Sequence, residues 1–321
     1  MMRRSFVIGL SFLLGACAVA HSESYPAKPI RAIVPFGAGS AADVIPRIVF
    51  DEPAARLGQA IIVENRGGAG GIIGTAAVAK AEPDGYTILA NSTAQAITPA
   101  MYSNLSYDAA ADFTAVGAIG SVPNVLIIAP QKGIKTLRDF VASAKAKPGS
   151  FNFASLGVGS AVHMSAERFR IAAGFEAVHI PFKGGAEALT EVMTGRVDYY
   201  FCPIATALPF INDGKLLGLA VSSPARSSLL PDVPTTLESS FPDSDFTFWL
   251  GVFVPARTPK EIVDKLNREL AAAVASPAVR EKLAAIGVET MSMTPSAFDT
   301  YVKGEIVRYA TFAKAAGLKP N

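Results

Sequence analysis

The stretch Gly37-Ala38-Gly39-Ser40-Ala41-Ala42-Asp43 returns later in the chain as Gly157-Val158-Gly159-Ser160-Ala161-Val162-His163. A short apolar run precedes each copy, at residues 30–34 and 151–153, and apolar residues at helical spacing follow it. This order predicts, twice, a strand, a glycine-rich loop and a helix N-terminus. The repetition predicts two α/β lobes, each with such a loop at the carboxyl end of a strand.

Both glycine–serine turns are suited to binding a negative charge. The first N–H groups of a helix have no partner within the helix, and the helix dipole favours an anion there. Glycine permits the positive φ angles of a concave loop, and Ser40 and Ser160 add hydroxyl donors. A single turn of this kind more often serves only to start a helix. Two matching turns, one in each lobe, predict a cleft that grips a carboxylate.

The length and the strand pattern agree with two lobes. A chain of 321 residues exceeds what one hydrophobic core usually serves. The predicted strands are residues 30–34, 60–64, 87–90, 125–128, 150–153, 177–180, 199–201, 217–221 and 248–253. Helix starts are predicted at Thr136, Thr258-Pro259, Ser276-Pro277 and Thr294-Pro295. The predicted fold class is α/β, with two lobes that are each a mostly parallel sheet flanked by helices and a cleft between them.

Two linkers divide the chain. One surrounds Ser121-Val122-Pro123-Asn124, and the other is the Ser-, Pro- and Asp-rich segment at residues 238–244. Residues 25–122 together with 244–321 are therefore expected to form one lobe, and residues 123–243 the other. Two chain crossings between lobes make a hinge beside the cleft.

The N-terminus has the features of a secretory signal peptide at residues 1–20. Arg3 and Arg4 precede an apolar run of ten residues at 5–14, and Ala18-Val19-Ala20 matches a signal peptidase site. The segment at 14–17 also resembles a lipobox, so lipid anchoring at Cys17 is the alternative to soluble export. Either route predicts a periplasmic protein.

Composition and motifs argue against several functions. Without Arg3 and Arg4 the chain has 27 basic and 27 acidic residues, which leaves no basic stripe for nucleic acid. No GxGxxG, GK[ST], HExxH, CxxC or GxSxG pattern occurs, so we expect no catalytic residue, no metal and no cofactor. Cys202 is expected to be a small buried hydrophobe, with a nucleophile as the lesser alternative.

Seven further stretches of sequence resemble a known family, and the resemblance extends over essentially the whole chain after the signal peptide. The matching stretches are Tyr25-Pro26-Ala27-Lys28-Pro29-Ile30-Arg31, Ile33-Val34-Pro35-Phe36, Val63-Glu64-Asn65-Arg66-Gly67-Gly68-Ala69-Gly70-Gly71, Pro83-Asp84-Gly85-Tyr86-Thr87, Pro181-Phe182-Lys183-Gly184, Leu230-Pro231-Asp232-Val233-Pro234-Thr235 and Gly251-Val252-Phe253-Val254-Pro255. In this order they resemble the Bug-type (TctC-like) substrate-binding proteins of tripartite tricarboxylate transporters. The resemblance implies a type II periplasmic-binding-protein fold and a carboxylated ligand held by the loops after the first strand of each lobe.

This chain departs from the family pattern at polar positions. Ala41 and Ala42 stand in the first loop, Val158, Ala161 and Val162 in the second, and Cys202 where an Asp or Asn is frequent. These changes remove polar partners for a ligand. They predict a ligand less polar than citrate or an amino acid, such as a monocarboxylate or an aromatic acid.

The candidate ligand-binding residues follow from the loops and the strand ends. They are Phe36, Gly37, Ala38, Gly39, Ser40, Asp43, Ser92, Thr93, Ser155, Gly157, Val158, Gly159, Ser160, Ala161, His163, Lys183 and Cys202. Asp43 is expected to hold its loop, and His163 to shape the second loop through a hydrogen bond or to contact the ligand. Lys183 is either solvated or has a ligand or interlobe role at the cleft rim. His179 is expected to be structural, and Trp249 is expected to pack in the core, with cleft lining as the alternative.

The predicted function is a monomeric, non-enzymatic receptor for a small carboxylate. Its partners are that ligand and, transiently, membrane transporter subunits. Two alternatives remain at this level: a sensory protein that presents its ligand to a membrane receptor, and a hydrolase on the same fold.

Overall fold

The structure is a computed structural model that describes residues 25–321. The predicted signal peptide and Cys17 lie outside the described residues. Within residues 25–321, no helix combines the length and the apolar character needed to cross a membrane.

Strands and helices alternate along most of the chain. The strands are β1 Ile30–Val34, β2 Ile61–Asn65, β3 Thr87–Ser92, β4 Phe113–Val122, β5 Asn124–Ile128, β6 Phe151–Ser155, β7 Ala177–Pro181, β8 Tyr199–Pro203, β9 Leu217–Val221, β10 Phe248–Pro255 and β11 Glu289–Thr290. The helices are α1 Ala41–Leu57, α2 Ile72–Ala79, α3 Ala94–Met101, α4 Leu137–Ala146, α5 Ala161–Ala173, α6 Gly185–Met193, α7 Ile204–Asn212, α8 Lys260–Ala275, α9 Pro277–Ala284 and α10 Pro295–Ala315, with short 3₁₀ turns at Ala69–Gly71 and Pro130–Lys132.

The strands form two sheets, one in each lobe. The first has the order β11-β4-β10-β3-β1-β2 and the second the order β7-β6-β8-β5-β9. The predicted two-lobed α/β fold is thereby confirmed, and both sheets are mixed. Only the pairs that involve β1 and β6 are parallel, because β4, β5 and β10 belong to the crossing segments and run antiparallel to their neighbours.

The chain crosses between the sheets at two adjacent places. The first crossing joins β4 to β5 through Pro123, and the second leads into β10. The N–H of Ser222 donates to the carbonyl of Asn124, and the N–H of Phe246 donates to the carbonyl of Ser222, both at 2.8 Å. The two connections are therefore tied together as one hinge. The proposed second lobe, residues 123–243, contains every strand of the second sheet.

Local signals located most elements correctly. The nine predicted strands coincide with β1–β3 and β5–β10, and the hydroxyls of Thr136 and Thr294 cap α4 and α10. Thr258 does not cap α8, because its hydroxyl donates to the carbonyl of Pro255 and Pro259 occupies the cap position. Strands β4 and β11 were not predicted. In β4 the small residues Gly117 and Gly120 interrupt the apolar run, since Asn267 and Glu289 pack closely against them.

Candidate functional site

The two glycine–serine turns have the same backbone geometry. Ser40, the N-cap of α1, has φ −73° and ψ 159°, and Ser160, the N-cap of α5, has φ −68° and ψ 153°. The preceding Gly39 and Gly159 adopt φ 76° and 77°, a left-handed conformation that glycine enters without strain. The repeat in the sequence is therefore a repeat in three dimensions.

Both turns line one cavity between the lobes. Its volume is about 20 Å³ in this conformation, and it is bounded by strand ends and helix starts of both lobes. Its lining residues are Phe36, Ser40, Ala41, Ala42, Ser92, Leu156, Ser160, Ala161, Val162, Gly185, Tyr200, Pro203, Thr206 and Phe248. No charged side chain of the described chain is among them. The wall is largely apolar, with five hydroxyl groups set into it.

Four backbone N–H groups are available at this cavity. Ala41 and Ala42 open α1, Ala161 and Val162 open α5, and all four residues line the cavity. Their N–H groups find no acceptor among residues 25–321. Two helix N-termini thus place two amide donors each at one space, an arrangement that attracts an anion.

The two cap serines differ in their partners. The hydroxyl of Ser160 donates to the carbonyl of Gly157 at 2.7 Å and accepts from the N–H of His163 at 3.3 Å. The hydroxyl of Ser40 is buried and has no hydrogen-bond partner among the described residues. Of the two cap serines, only Ser40 therefore has a hydroxyl that is free to bind a ligand.

Asp43 holds its loop, as predicted, and does not face the cavity. One carboxylate oxygen accepts from the N–H of Gly39 at 2.9 Å. The other accepts from Nε of Arg47 at 2.8 Å and from Nδ2 of Asn65 at 2.9 Å. The ion pair with Arg47 offsets the negative charge of Asp43, which reduces its repulsion of an anion in the cavity.

A histidine pair lies behind the second turn. The ring centroids of His163 and His179 are 4.4 Å apart, and burial is the main cause that lowers the pKa of both to about 4. His179 Nε2 contacts the hydroxyl of Ser155, which accepts from the N–H of Gly157 at 3.0 Å. The backbone N–H of His163 donates to the Ser160 hydroxyl of the turn, but the ring Nδ1 of His163 has no partner within residues 25–321. The histidine ring that contacts this turn is therefore that of His179, a residue expected only to be structural.

The lobes touch beside the cavity. A Cβ atom added at Gly70 of the first lobe would lie 1.8 Å from the carbonyl oxygen of Val158 in the second. Tyr102 donates a hydrogen bond to the same oxygen at 3.2 Å. Gly37 approaches the backbone of Lys183 and Gly184, where an added Cβ would be 3.1 Å from the Lys183 carbonyl oxygen. The described conformation is closed, and glycine allows this close approach.

Comparison with known proteins agrees with this geometry. Residues 45–318 match the model of the tripartite tricarboxylate transporter family receptor. BugT of Bordetella pertussis is 35% identical over 322 residues, covering 99% of each chain. The chain belongs to this receptor family.

Two solved receptors of similar sequence have the same fold. The periplasmic binding protein BugD has a TM-score of 0.89 at 32% identity, covering 92% of this chain and 100% of that chain. MatC of Rhodopseudomonas palustris, solved with bound malate, has a TM-score of 0.86 at 30% identity, covering 89% and 99%. The prediction of a Bug-type, TctC-like solute-binding protein is confirmed.

The predicted site residues of this receptor divide into two groups. Those that line the cavity are Phe36, Ser40, Ser92, Ser160 and Ala161. Those that do not line it are Gly37, Ala38, Gly39, Asp43, Thr93, Ser155, Gly157, Val158, Gly159, His163, Lys183 and Cys202. The loop tips lie outside because the chain turns back at Gly39 and Gly159, so the first helical turn reaches the cavity instead. The role of the first group in binding stays a prediction.

Three residues discussed in the sequence lie in different environments: Cys202, Trp249 and Lys183. Burial raises the pKa of Cys202 to about 12, and its sulfur lies 3.1 Å from the hydroxyl oxygen of Thr206, which argues against a nucleophile. Trp249 is buried and donates from Nε1 to Glu305 at 3.2 Å. Lys183 is exposed on the interlobe contact, and only its backbone is close to the other lobe.

Sequence reasoning missed most of the receptor's cavity wall. The missed residues are Ala41, Ala42, Leu156, Val162, Gly185, Tyr200, Pro203, Thr206 and Phe248. A signal existed for Tyr200, because Tyr199 and Tyr200 alternate on β8 and must face opposite sides of the sheet. Within residues 25–321, no group of three His, Cys, Asp or Glu side chains is placed to hold a metal ion.

Proposed function

We propose that this receptor is exported to the periplasm, binds a small carboxylate between its lobes and delivers it to a tripartite tricarboxylate-type membrane transporter. The observation that carries the proposal is the convergence of the N–H groups of Ala41, Ala42, Ala161 and Val162 on one interlobe cavity. Each helix N-terminus contributes roughly half a positive charge, so two of them balance about one carboxylate. The free Ser40 hydroxyl adds a fifth donor.

The apolar wall supports simple binding rather than catalysis. A pocket of this kind fixes its ligand with a few placed polar groups and gains affinity from apolar burial. No general base of the described chain lines the cavity to activate its serine hydroxyls, since His163 and Asp43 lie outside the lining, and so does the Cys202 thiol. The malate bound in MatC gives a precedent for a carboxylate in a receptor of the same fold.

Deleting single N–H groups tests the binding site. Proline is accepted at the first position of a helix when the preceding residue is extended, as Ser40 and Ser160 are. Ala41→Pro and Ala161→Pro should each weaken carboxylate binding about 10- to 100-fold, because each removes one hydrogen bond to a charged group. Isothermal titration calorimetry against a panel of small acids measures the change.

Two controls separate the lost donor from other effects. Ala41→Val adds similar bulk but keeps the N–H, and Lys260→Pro introduces proline at the first position of α8, away from the cavity. The proposal fails if no small acid binds the wild-type protein, or if Ala41→Val weakens binding as much as Ala41→Pro. Delivery is tested by uptake of the bound acid in a strain without the receptor gene, which the wild-type gene should restore and the Ala41→Pro gene should not.

A further inference from the structure

Tyr102 connects the two lobes at a distance from the hinge. Its hydroxyl donates to the carbonyl oxygen of Val158 at 3.2 Å, and a Cβ added at Gly159 would lie 3.2 Å from its ring. Burial is the main cause that raises the pKa of Tyr102 above its usual value, so the hydroxyl remains a donor. Apart from the bonds at hinge residues 244–246, this is the single hydrogen bond between the lobes in the described part of the chain.

The elements next to Tyr102 do not fix its position. Tyr102 directly follows Met101, the last residue of α3, and its backbone is extended, with φ −137° and ψ 131°. Residues 102–112 form neither a helix nor a strand. A side chain at the start of such a connection stays in one place only if contacts from elsewhere in the chain hold its backbone.

Asn321 supplies these contacts on both sides of Tyr102. Its N–H donates to the carbonyl oxygen of Met101 at 2.9 Å. Its carbonyl oxygen accepts from the N–H and from the hydroxyl of Ser103, both at 3.0 Å. Three hydrogen bonds to one residue therefore hold Met101 and Ser103, and with them the tyrosine that lies between.

The segment after α10 brings Asn321 to this position. α10 packs along α3, and Gly317 follows it with φ 66°, a left-handed conformation that ends the helix. The N–H of Leu318 then donates to the carbonyl oxygen of Ala313 at 3.0 Å, which turns the chain back. Pro320 restricts the backbone immediately before Asn321. The path from α10 to the end of α3 is thus short and partly rigid.

We propose that residues 318–321 form a strap that positions Tyr102 as a latch between the lobes, and that the strap thereby sets how readily the lobes close. Asn321 does not line the interlobe cavity, so it is a positioning residue that acts on binding through Tyr102. The bond from Tyr102 to Val158 joins the two lobes, so it stabilises the closed state relative to an open one. One such bond shifts the equilibrium between the two states about three- to tenfold, whichever solute the lobes enclose.

A double-mutant cycle tests whether the strap acts through the latch. The variants are Tyr102→Phe, a truncation that removes the exposed residues 319–321, and both changes together. Calorimetry with malate, succinate or adipate, whichever binds the wild-type protein, should show each single change weakening binding about three- to tenfold. The combined variant should bind no more weakly than the weaker single variant, because both changes disable the same latch.

Two serines give a milder matched pair that leaves the chain at full length. Ser103→Ala removes one of the three bonds to Asn321 and should weaken binding about twofold. Ser106 is also exposed, and its hydroxyl has no hydrogen bond within residues 25–321, so Ser106→Ala should change nothing. Equal effects of the two alanines would contradict the role of the strap.

Small-angle scattering of the ligand-free protein tests closure without any acid. Tyr102→Phe, the truncation and the combined variant should all have a radius of gyration larger than that of the wild-type protein, by the same amount. Effects that multiply in the combined variant, or a truncation that changes neither affinity nor radius, would overturn the proposal. Failure of every acid to bind would contradict the proposed function instead, and the scattering comparison would still decide whether the strap controls closure.

Discussion

The hydroxyl groups of Ser40 and Ser160 occupy equivalent positions but have different partners. In the second turn Ser160 bonds both Gly157 and the N–H of His163, so it stabilises the start of α5. In the first turn the carboxylate of Asp43 accepts a hydrogen bond from the N–H of Gly39, and the Ser40 hydroxyl has no partner among the described residues. The third helical residue is Asp43 in α1 and His163 in α5. This difference accompanies a change in the cap serine, which caps the helix in the second turn and has a free hydroxyl in the first.

Alanine substitutions should separate these two roles. Ser160→Ala should lower the free energy of unfolding by about 1 kcal/mol, because it removes a helix cap. Ser40→Ala should leave the free energy of unfolding nearly unchanged, since no hydrogen bond is lost, but should weaken the binding of a carboxylate. Urea unfolding and calorimetry on both variants measure the two quantities. Equal destabilisation by both substitutions would show that Ser40 is also a structural cap.

At the scale of elements, α5 and β7 pack through two histidines that resist protonation. His163 and His179 both have a pKa near 4, chiefly because burial disfavours the charged ring. The ring of Phe153 stacks at 5.0 Å from that of His179, which leaves little room for water. The pair supports the second turn from behind through Ser155.

This packing predicts a dependence of stability on pH. In the unfolded chain a histidine titrates near pH 6.5, so between about pH 6.5 and 4 the unfolded state takes up protons that the folded state excludes. Stability should be complete above pH 6.5 and fall as the pH decreases toward 4, with His163 contributing up to about 3 kcal/mol of the loss. Urea unfolding of the wild-type protein and of His163→Gln at pH 7, 6 and 5 measures this. A parallel loss in both proteins would assign the acid sensitivity to other groups.

At the scale of the whole molecule, the cavity exists only because the two lobes approach closely. Gly70 meets the Val158 carbonyl, and Tyr102 adds a hydrogen bond to the same atom. The hinge at Asn124, Ser222 and Phe246 lies on the two chain connections that join the lobes. Rotation about such a hinge is the expected route for ligand to enter and leave.

Gly70→Ala should prevent complete closure. The new methyl group would be 1.8 Å from the Val158 oxygen, so ligand affinity should fall about tenfold or more, and the radius of gyration with ligand should stay larger than that of the wild-type protein. Gly133→Ala is the matched control, because Gly133 has φ 70° and no atom within 4 Å of an added Cβ. Both variants share the strain of about 1 kcal/mol from a left-handed alanine. Calorimetry measures the affinity and small-angle scattering the radius of gyration. If both variants change these quantities equally, Gly70 has no specific role in closure.

Local features of the sequence were enough to predict much of the fold and part of the candidate site. The repeat at residues 37–43 and 157–163 predicted two lobes, two helix N-termini and their common orientation toward one cleft. This worked because a turn, a cap and a first helical turn depend on residues close together in the chain. The strands β1–β3 and β5–β10 were predictable for the same reason.

The wall of the cavity was decided by tertiary structure. Tyr200, Phe248 and Val162 come from separate elements, and only the order of strands in the two sheets and the closure of the lobes bring them together. The antiparallel direction of the crossing strands β4, β5 and β10 was not predicted, because strand direction is set by pairing between residues far apart in sequence. Which hydroxyls remain unpartnered, such as that of Ser40, likewise depends on every neighbour in space.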